Sequence, residues 1–447
     1  METLSAWSTT LANWAWGPWL LVLLLGGGFY FLLRSRFLPY RYLGHGIDLI
    51  RGKYDNPNDP GHITHRRALS AALAGTVGMG NIAGVALAIQ IAGPGAIFWM
   101  WMTAIVGMAT KFFTCSLAVM YRGKDSAGEL QGGPMYVIRE ALPKQFHFLA
   151  YLFAAAGMIG CLPVLQTNQL VQAIRDNLHN GTDATVFNLS AGLVLAVIST
   201  TIIFGGLKRI SAVAGALVPF MGLLYLGSAL VAIVLNIDAV LPALTLILTD
   251  AFTGEAVAGG SILAVILYGV RRGAYSNEAG IGTESLAHGA AKTQEPIREG
   301  MVAMLGPVFD TLLVCTTTAV MILVAGSWQT NAEGVTMTAN AFETLLGPIG
   351  GVVVFISIFC FAITTILTYS FYGSQCASFL FSTKAKFAYQ VAFIGCIIGA
   401  AVLPLTTAIN IIDTSFALMA IPTMFSAIWL APKVTAAARV YWQKLQV

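Results

Sequence analysis

Four glycines fall within ten residues in the run Gly75-Thr76-Val77-Gly78-Met79-Gly80-Asn81-Ile82-Ala83-Gly84. Apolar residues flank the run on both sides, so it sits where a membrane-crossing helix would have its middle. Each glycine weakens a helix by roughly 1 kcal/mol relative to alanine. Glycines can also serve as a face for close helix packing, but the spacing Gly-x-x-Gly-x-Gly-Asn is too dense for one face and favours an interrupted helix. Unwound backbone at membrane depth has to line a cavity or be buried in protein. One half-helix then ends in bare carbonyls that suit a cation, and the other begins with bare amides that suit a carboxylate. The chemistry expected is noncovalent: carbonyls near Gly75 and Gly78 for an alkali cation, and Thr76, Gly78, Gly80 and Asn81 for the carboxylate of a small zwitterion.

Other residues fit the same chemistry. Gly259-Gly260-Ser261 reads as a second interruption, whose carbonyls would face an ammonium group. Thr364 and Thr365 share a helical face with Ser357 and offer hard hydroxyl oxygens to an alkali cation, although membrane threonines also bond back to their own helix. Asp310 lies inside an apolar segment and is a functional candidate by default; pairing with Lys111 would be the structural alternative to ion coupling. Asp413 reads as interfacial. Asn277-Glu278 follows Arg271-Arg272 and is expected at the cytoplasmic end as an inner gate. Gln166 and Asn168, after Pro163, either reach the cavity or bond between helices. The six cysteines lie in apolar stretches without redox or metal spacing, and the six histidines fall in loops or at membrane edges without forming a metal cluster.

These residues need elements to hold them, and composition says which. Hydrophobic residues make up 57% of the chain and charged residues 10%, against roughly a quarter charged in soluble domains. The solvent must be lipid. With about 20 apolar residues needed per crossing, hydropathy gives candidate spans near 14–33, 67–92, 95–121, 149–175, 189–206, 211–236, 253–270, 301–326, 349–381, 387–405 and 411–431. The first of these has neither the basic flank nor the small-residue site of a signal peptide and reads as a mature helix. With the N-terminus outside, alternate loops hold 22 of the 24 basic residues, as the positive-inside rule asks. The broken second and seventh spans lie five apart, which suggests two five-helix repeats in inverted topology after one extra N-terminal helix.

Several longer motifs carry a family resemblance. Gly78 to Ala86 and Ala92 to Trp101 resemble segments of the alanine/glycine:cation symporter family, as do Gly132 to Tyr136, Phe204 to Ile210, Tyr275 to Gly282 and Met419 to Pro422. The order is preserved from about residue 66 to 430. The resemblance implies a LeuT-type fold and transport of alanine or glycine with sodium, less often with protons. It also implies a sodium ion between core helices one and eight, at Thr364 and Thr365. The sequence departs from the family pattern at Tyr369, where many members carry tryptophan near the substrate, and at Thr114, Ser374 and Thr283 to Leu286. These departures bear on the substrate rather than on the fold.

The expectation is therefore an all-α integral membrane protein of about eleven transmembrane helices, a LeuT-type 5+5 inverted repeat with one extra N-terminal helix. Residues 1–64 form that helix and a cytoplasmic connection, 65–431 the core (repeats about 65–236 and 237–431), and 432–447 a cytoplasmic tail. The expected function is sodium-coupled symport of a small neutral amino acid by alternating access in a bacterial or archaeal plasma membrane, with the C-terminus cytoplasmic. Substrate contacts are expected at Thr76, Gly78, Gly80, Asn81, Gly259, Gly260, Ser261 and Tyr369, sodium at Gly75, Gly78, Thr364 and Thr365, and gating or coupling at Asn277, Glu278 and Asp310. Sodium is the coupling ion, with no other cofactor and no nucleic-acid partner. The alternatives are a proton-coupled carrier and a channel; a membrane enzyme lacks a nucleophile–base or metal constellation.

Overall fold

The computed structural model describes residues 2–178, 183–253 and 261–445, apart from the side chains of residues 2–6 and 39. The main helices are α1 (Glu2–Ala15), α2 (Gly27–Arg34), α3 (His65–Thr76), α4 (Met79–Ala92), α5 (Ala96–Met120), α6 (Phe148–Gly160), α7 (Val164–Leu178), α8 (Ala184–Ile203) and α9 (Gly206–Leu235). They continue with α10 (Ile237–Thr253), α11 (Ile262–Asn277), α12 (Glu284–His288), α13 (Pro296–Ala303), α14 (Thr316–Val324), α15 (Val335–Leu346), α16 (Pro348–Leu380), α17 (Ala385–Ala400) and α18 (Leu405–Leu445). Between α13 and α14 the chain is π-helical over Val308–Cys315. The one sheet among the described residues is a two-stranded hairpin, Gly123–Lys124 against Leu130–Gln131.

Among the described residues, nine helical stretches are long and apolar enough to cross a membrane, and α17 is a shorter apolar helix. They differ in what surrounds them. The His65–Ala92 stretch is 94% buried within the protein and Ala96–Met120 83%, whereas Gly206–Leu235 is 22% buried and faces outward. A helix enclosed by other helices can lose backbone hydrogen bonds without exposing them to lipid. The break in the first of these stretches depends on that enclosure.

The expected seventh span is displaced. Gly259 and Gly260 lie outside the described residues. Ser261 is the exposed N-cap of α11, its hydroxyl accepting from the Ala264 amide at 3.2 Å. From there the chain runs alongside α5 for its whole length. Gly269 lies against Ala96, Gly273 against Met100 and Thr103, Ala279 against Gly107 and Glu284 against Thr114; beyond α5, Gly289 lies against Gly132. The polar run after Val270 is therefore not a loop; Arg271, Arg272, Asn277, Glu278 and Glu284 are all buried. Hydropathy mislocates this span because it assumes lipid around every crossing segment, and here protein encloses it.

Both ends of the bundle are tied to the core. Near the Gly93 turn, Trp16 donates from Nε1 to the Asp413 carbonyl at 2.7 Å, and Asn410 donates to the Thr9 hydroxyl at 2.9 Å. At the opposite end, the Arg122 guanidinium donates to the carbonyls of Gly289 (2.7 Å), Thr293 (3.1 Å) and Ala291. The segment expected as a tail continues α18, where Tyr441 meets His45 at 2.6 Å and Trp442 stacks on Tyr42.

Candidate functional site

The first break lies within the glycine run and is narrower than that run. α3 stops at Thr76, Val77 is extended (φ −76°, ψ 91°), and α4 starts at Met79. Across the gap the backbone makes only the bonds from Val77 N to Leu73 O and from Asn81 N to Gly78 O. The carbonyls of Gly75, Thr76 and Val77 and the amides of Met79 and Gly80 are thus released from helical pairing. Gly78 is required by a close approach. A Cβ there would stand 2.3 Å from the Thr365 hydroxyl oxygen. Gly75 faces Thr368 and Tyr372, and Gly80 faces the Tyr275 ring.

The second break follows Asn277. Glu278 sits in the left-handed region (φ 54°), followed by Gly280 (φ 86°) and Gly282 (φ 98°), before α12 resumes at Glu284. Asn277 turns its Oδ1 back to the Ala279 amide at 3.0 Å and donates to Thr103 and Thr311. Glu278 accepts from the Tyr369 hydroxyl at 2.6 Å and from the Thr283 hydroxyl. Neither residue is an exposed inner gate. Both are buried at the break itself, because the span around them is displaced toward the C-terminus.

Asn81 and Asp310 join the two breaks. The Asn81 amide nitrogen donates to Asp310 Oδ1 at 2.6 Å, while its Oδ1 accepts from the Gly78 amide at 2.8 Å. Ser276, on the last turn of α11, donates to Asp310 Oδ2 at 2.7 Å, as does Thr311. A polar side chain therefore pins the released Gly78 amide to a carboxylate on the π-helical turn, and the same carboxylate holds the end of α11. Asn81 is fully engaged in this bracket and offers no free donor to a ligand. Asp310 forms no ion pair with Lys111, whose ammonium lies beside Gly306. π-helical turns recur at functional sites because they displace one side chain inward.

Around the breaks, among the described residues, is a set of buried polar atoms with no hydrogen-bond partner: the hydroxyls of Thr76, Thr368 and Tyr372, and Glu284 Oε2; beside them the Tyr275 hydroxyl faces Gln166. Leaving such a group unpaired costs about 1–3 kcal/mol, so several gathered round two helix breaks mark a place built to receive a polar group. Aromatic rings pack beside these atoms. Phe416 stacks on Tyr275 (5.4 Å between centroids) and lies 6.4 Å from Tyr369, which is 6.1 Å from Tyr372. The sequence singled out none of Tyr275, Thr368 and Tyr372 as site residues, while for Gln166 it left both the cavity and a bond between helices open. The run Thr368-Tyr369-Ser370-Phe371-Tyr372, with polar and aromatic residues on an otherwise apolar helix, was the available signal.

The two threonines expected to act together diverge. Thr365 faces the first break, while the Thr364 hydroxyl bonds to the Cys360 carbonyl at 2.9 Å and lies 3.7 Å from Met221 Sδ on α9. Thr365 also bonds back, to Phe361 at 2.9 Å. Asn168 is taken by the Leu403 carbonyl at 2.6 Å.

Two charged clusters bracket the site. Toward the Gly93 turn, Asp413 binds Arg271 at 2.6 Å and also Arg272, and it is buried in α18. At the other end, the Glu299 carboxylate is shared by His65, at the start of α3, and His288, at 2.6 Å at the end of α12. These two histidines are buried at helix ends.

A sequence model described as the sodium:alanine symporter family matches residues 1–447. The chain is 38% identical over 441 residues to the sodium/alanine symporter AgcS of Methanococcus maripaludis, covering 97% of this chain and 96% of that one. It is 33% identical over 431 residues to GlnT of Bacillus subtilis, named a probable sodium/glutamine symporter, covering 95% and 88%. Among solved structures it resembles MhsT in complex with L-phenylalanine, with a TM-score of 0.60 and 14% identity over 84% of this chain and 98% of that one, which shows the LeuT-type fold. The chain belongs to the sodium:alanine symporter family, multi-pass membrane transporters of amino acids with a cation.

Proposed function

We propose that this protein is a sodium-coupled symporter of a small neutral amino acid, alanine or glycine, that works by alternating access with its N-terminus outside a prokaryotic plasma membrane. The observation that carries the reading is the set of unpartnered buried polar atoms around the two breaks. The free amides of Met79 and Gly80, with the Thr76 hydroxyl, would take the substrate carboxylate. Its ammonium would face the second break, where the carbonyls of Tyr275, Ser276 and Asn277 have no backbone partner. This replaces Gly259 to Ser261 as the ammonium side. Tyr275, Tyr369, Tyr372 and Phe416, packed together beside the second break, would limit the substrate to a small side chain.

The sodium ion, as co-transported substrate, would lie between the carbonyls of Gly75 to Val77 and the Thr365 hydroxyl. Carbonyl and hydroxyl oxygens are hard donors, and the end of a half-helix adds negative dipole. An ion that bridges α3 and α16 stabilises the closed arrangement only when both helices are in place, which couples its binding to the substrate's. Asp413 with Arg271 and Arg272 would close the outer side, and Glu299 with His65 and His288 the inner side.

Uptake of labelled alanine into proteoliposomes tests this, with the other amino acids as competitors and sodium replaced by choline. The expected result is saturable uptake, competed by glycine and lost in choline. Undiminished uptake in choline discards sodium coupling. A proton-coupled reading has one observation in its favour: Asp310 is buried and held by neutral donors only. It requires uptake in choline driven by a proton gradient and abolished by Asp310→Asn.

A further inference from the structure

Two cavities lie end to end on the outward face between α3 and α9. One, of about 470 Å³, is lined by Thr64, Arg66, Arg67 and Ser70 from the start of α3 and by Ser211 and Gly215 from α9. The other, of about 550 Å³, is lined almost wholly by apolar residues, among them Leu69, Leu73, Val77, Val218, Leu226 and Phe309. They share Arg66 and Ser70. Together they form one groove with a polar, cationic mouth and a greasy trough that ends beside the first helix break.

The mouth is strongly one-signed. Arg66, Arg67, Lys208 and Arg209 are all exposed there or one turn away. Among the described residues none of the four is ion-paired. From Arg66 to Thr76, α3 rises about 15 Å at ~1.5 Å per residue, which is about half of a ~30 Å hydrocarbon layer. The trough therefore has the depth of one leaflet. Its α9 wall is open by construction, since a Cβ added at Gly215, Gly222 or Gly227 would meet nothing within 4 Å.

We propose that this groove binds an anionic phospholipid, its phosphate on Arg66 and Arg67 and one acyl chain along Leu69, Leu73 and Val77 toward the break. Arginine pairs with phosphate in two-point geometry, and basic residues at a membrane surface attract anionic lipid. A second copy of this chain is a poorer occupant. A two-fold contact brings the same patch against itself, so four cations would meet four cations. The lipid chain would lie against the half-helix that supplies Gly75 and Thr76, so its occupancy bears on how freely α3 can move. The binding claim itself stands whether or not the substrate reading is correct.

The test uses the full-length protein, delipidated in detergent and offered phosphatidylglycerol or phosphatidylcholine, with bound lipid counted by native mass spectrometry. The wild type is expected to retain phosphatidylglycerol over phosphatidylcholine by about tenfold, and the paired change Arg66→Gln with Arg67→Gln to remove most of that preference. Gly222→Leu, which fills the trough where no neighbour is displaced, is expected to lower retention of both lipids severalfold. Thermal unfolding of each variant establishes that it is folded. Equal retention of the two lipids by the wild type, or unchanged retention in both variants, overturns the proposal. So does efficient disulfide cross-linking of Gly222→Cys to a second copy in native membranes.

Discussion

A single methyl group decides the geometry at Gly78, because it would stand 2.3 Å from the Thr365 hydroxyl. Gly78→Ala is expected to cost about 1–3 kcal/mol through overpacking and to abolish uptake; adding Thr365→Ala should recover thermal stability without recovering sodium dependence. Recovery of sodium-dependent uptake in the double variant would contradict the role given to Thr365. Tyr369→Phe removes one of the two donors to the buried Glu278 carboxylate. It should lower stability by about 1–3 kcal/mol and alter the pH profile of uptake, both measurable on purified protein. At this scale the sequence was partly legible. Density of glycine announced the first break, since glycine carries its conformational cost wherever it sits. That Asn81 would be consumed by Gly78 and Asp310 could not be read, because hydrogen bonds between residues far apart in the chain depend on packing. The same holds for Thr364, whose neighbour Met221 belongs to a different helix.

Half-helices separated by short unwound turns need something to hold their free ends, and buried charge clusters perform that task here. Asp413→Asn leaves Arg271 and Arg272 buried with a weakened acceptor, and breaking a buried pair typically costs about 3–5 kcal/mol. The expected outcome is a clear drop in melting temperature, larger than that of Asp413→Asn combined with Arg271→Gln and Arg272→Gln. Similar drops in the single and triple variants would show that the cluster is not an electrostatic lock. Glu299→Gln should loosen the start of α3, read as faster hydrogen exchange over 65–76 than over 79–92. The first span break was visible because apolar residues surround it. The second was misplaced because the motif Tyr275 to Gly282 is polar, and hydropathy assigns polar runs to loops. Protein on every side makes such a run affordable in mid-bundle, as the burial of Asn277, Glu278 and Glu284 shows.

That the chain is an α-helical membrane protein followed from composition, since so little charge leaves lipid as the only solvent; the displaced seventh span takes Arg271 and Arg272 out of the loop to which the positive-inside count assigned them. With the N-terminus outside, Thr185→Cys should react with an impermeant maleimide on intact cells and Ser126→Cys only after lysis. The reverse pattern would invert the topology. The loop that carries Ser126 also has a pH signature. Burial works against the charge on Asp125, but the amides of Ala127 and Glu129 and the Lys386 ammonium outweigh it and hold the carboxyl below its ordinary value. A depressed value means that this contribution to loop order is complete above about pH 4 and fades as pH falls through the folded value. Proteolysis of residues 123–131 should accelerate only in that acid range. Transport depends on whether the released backbone at Val77 and Gly78 holds ion and substrate together, and direct binding tests this most plainly. Alanine affinity of the purified protein, measured by calorimetry in sodium chloride and in choline chloride, should be at least about tenfold tighter with sodium for the wild type and insensitive to the salt in Thr365→Ala. Equal affinity in the two salts for the wild type would contradict the account.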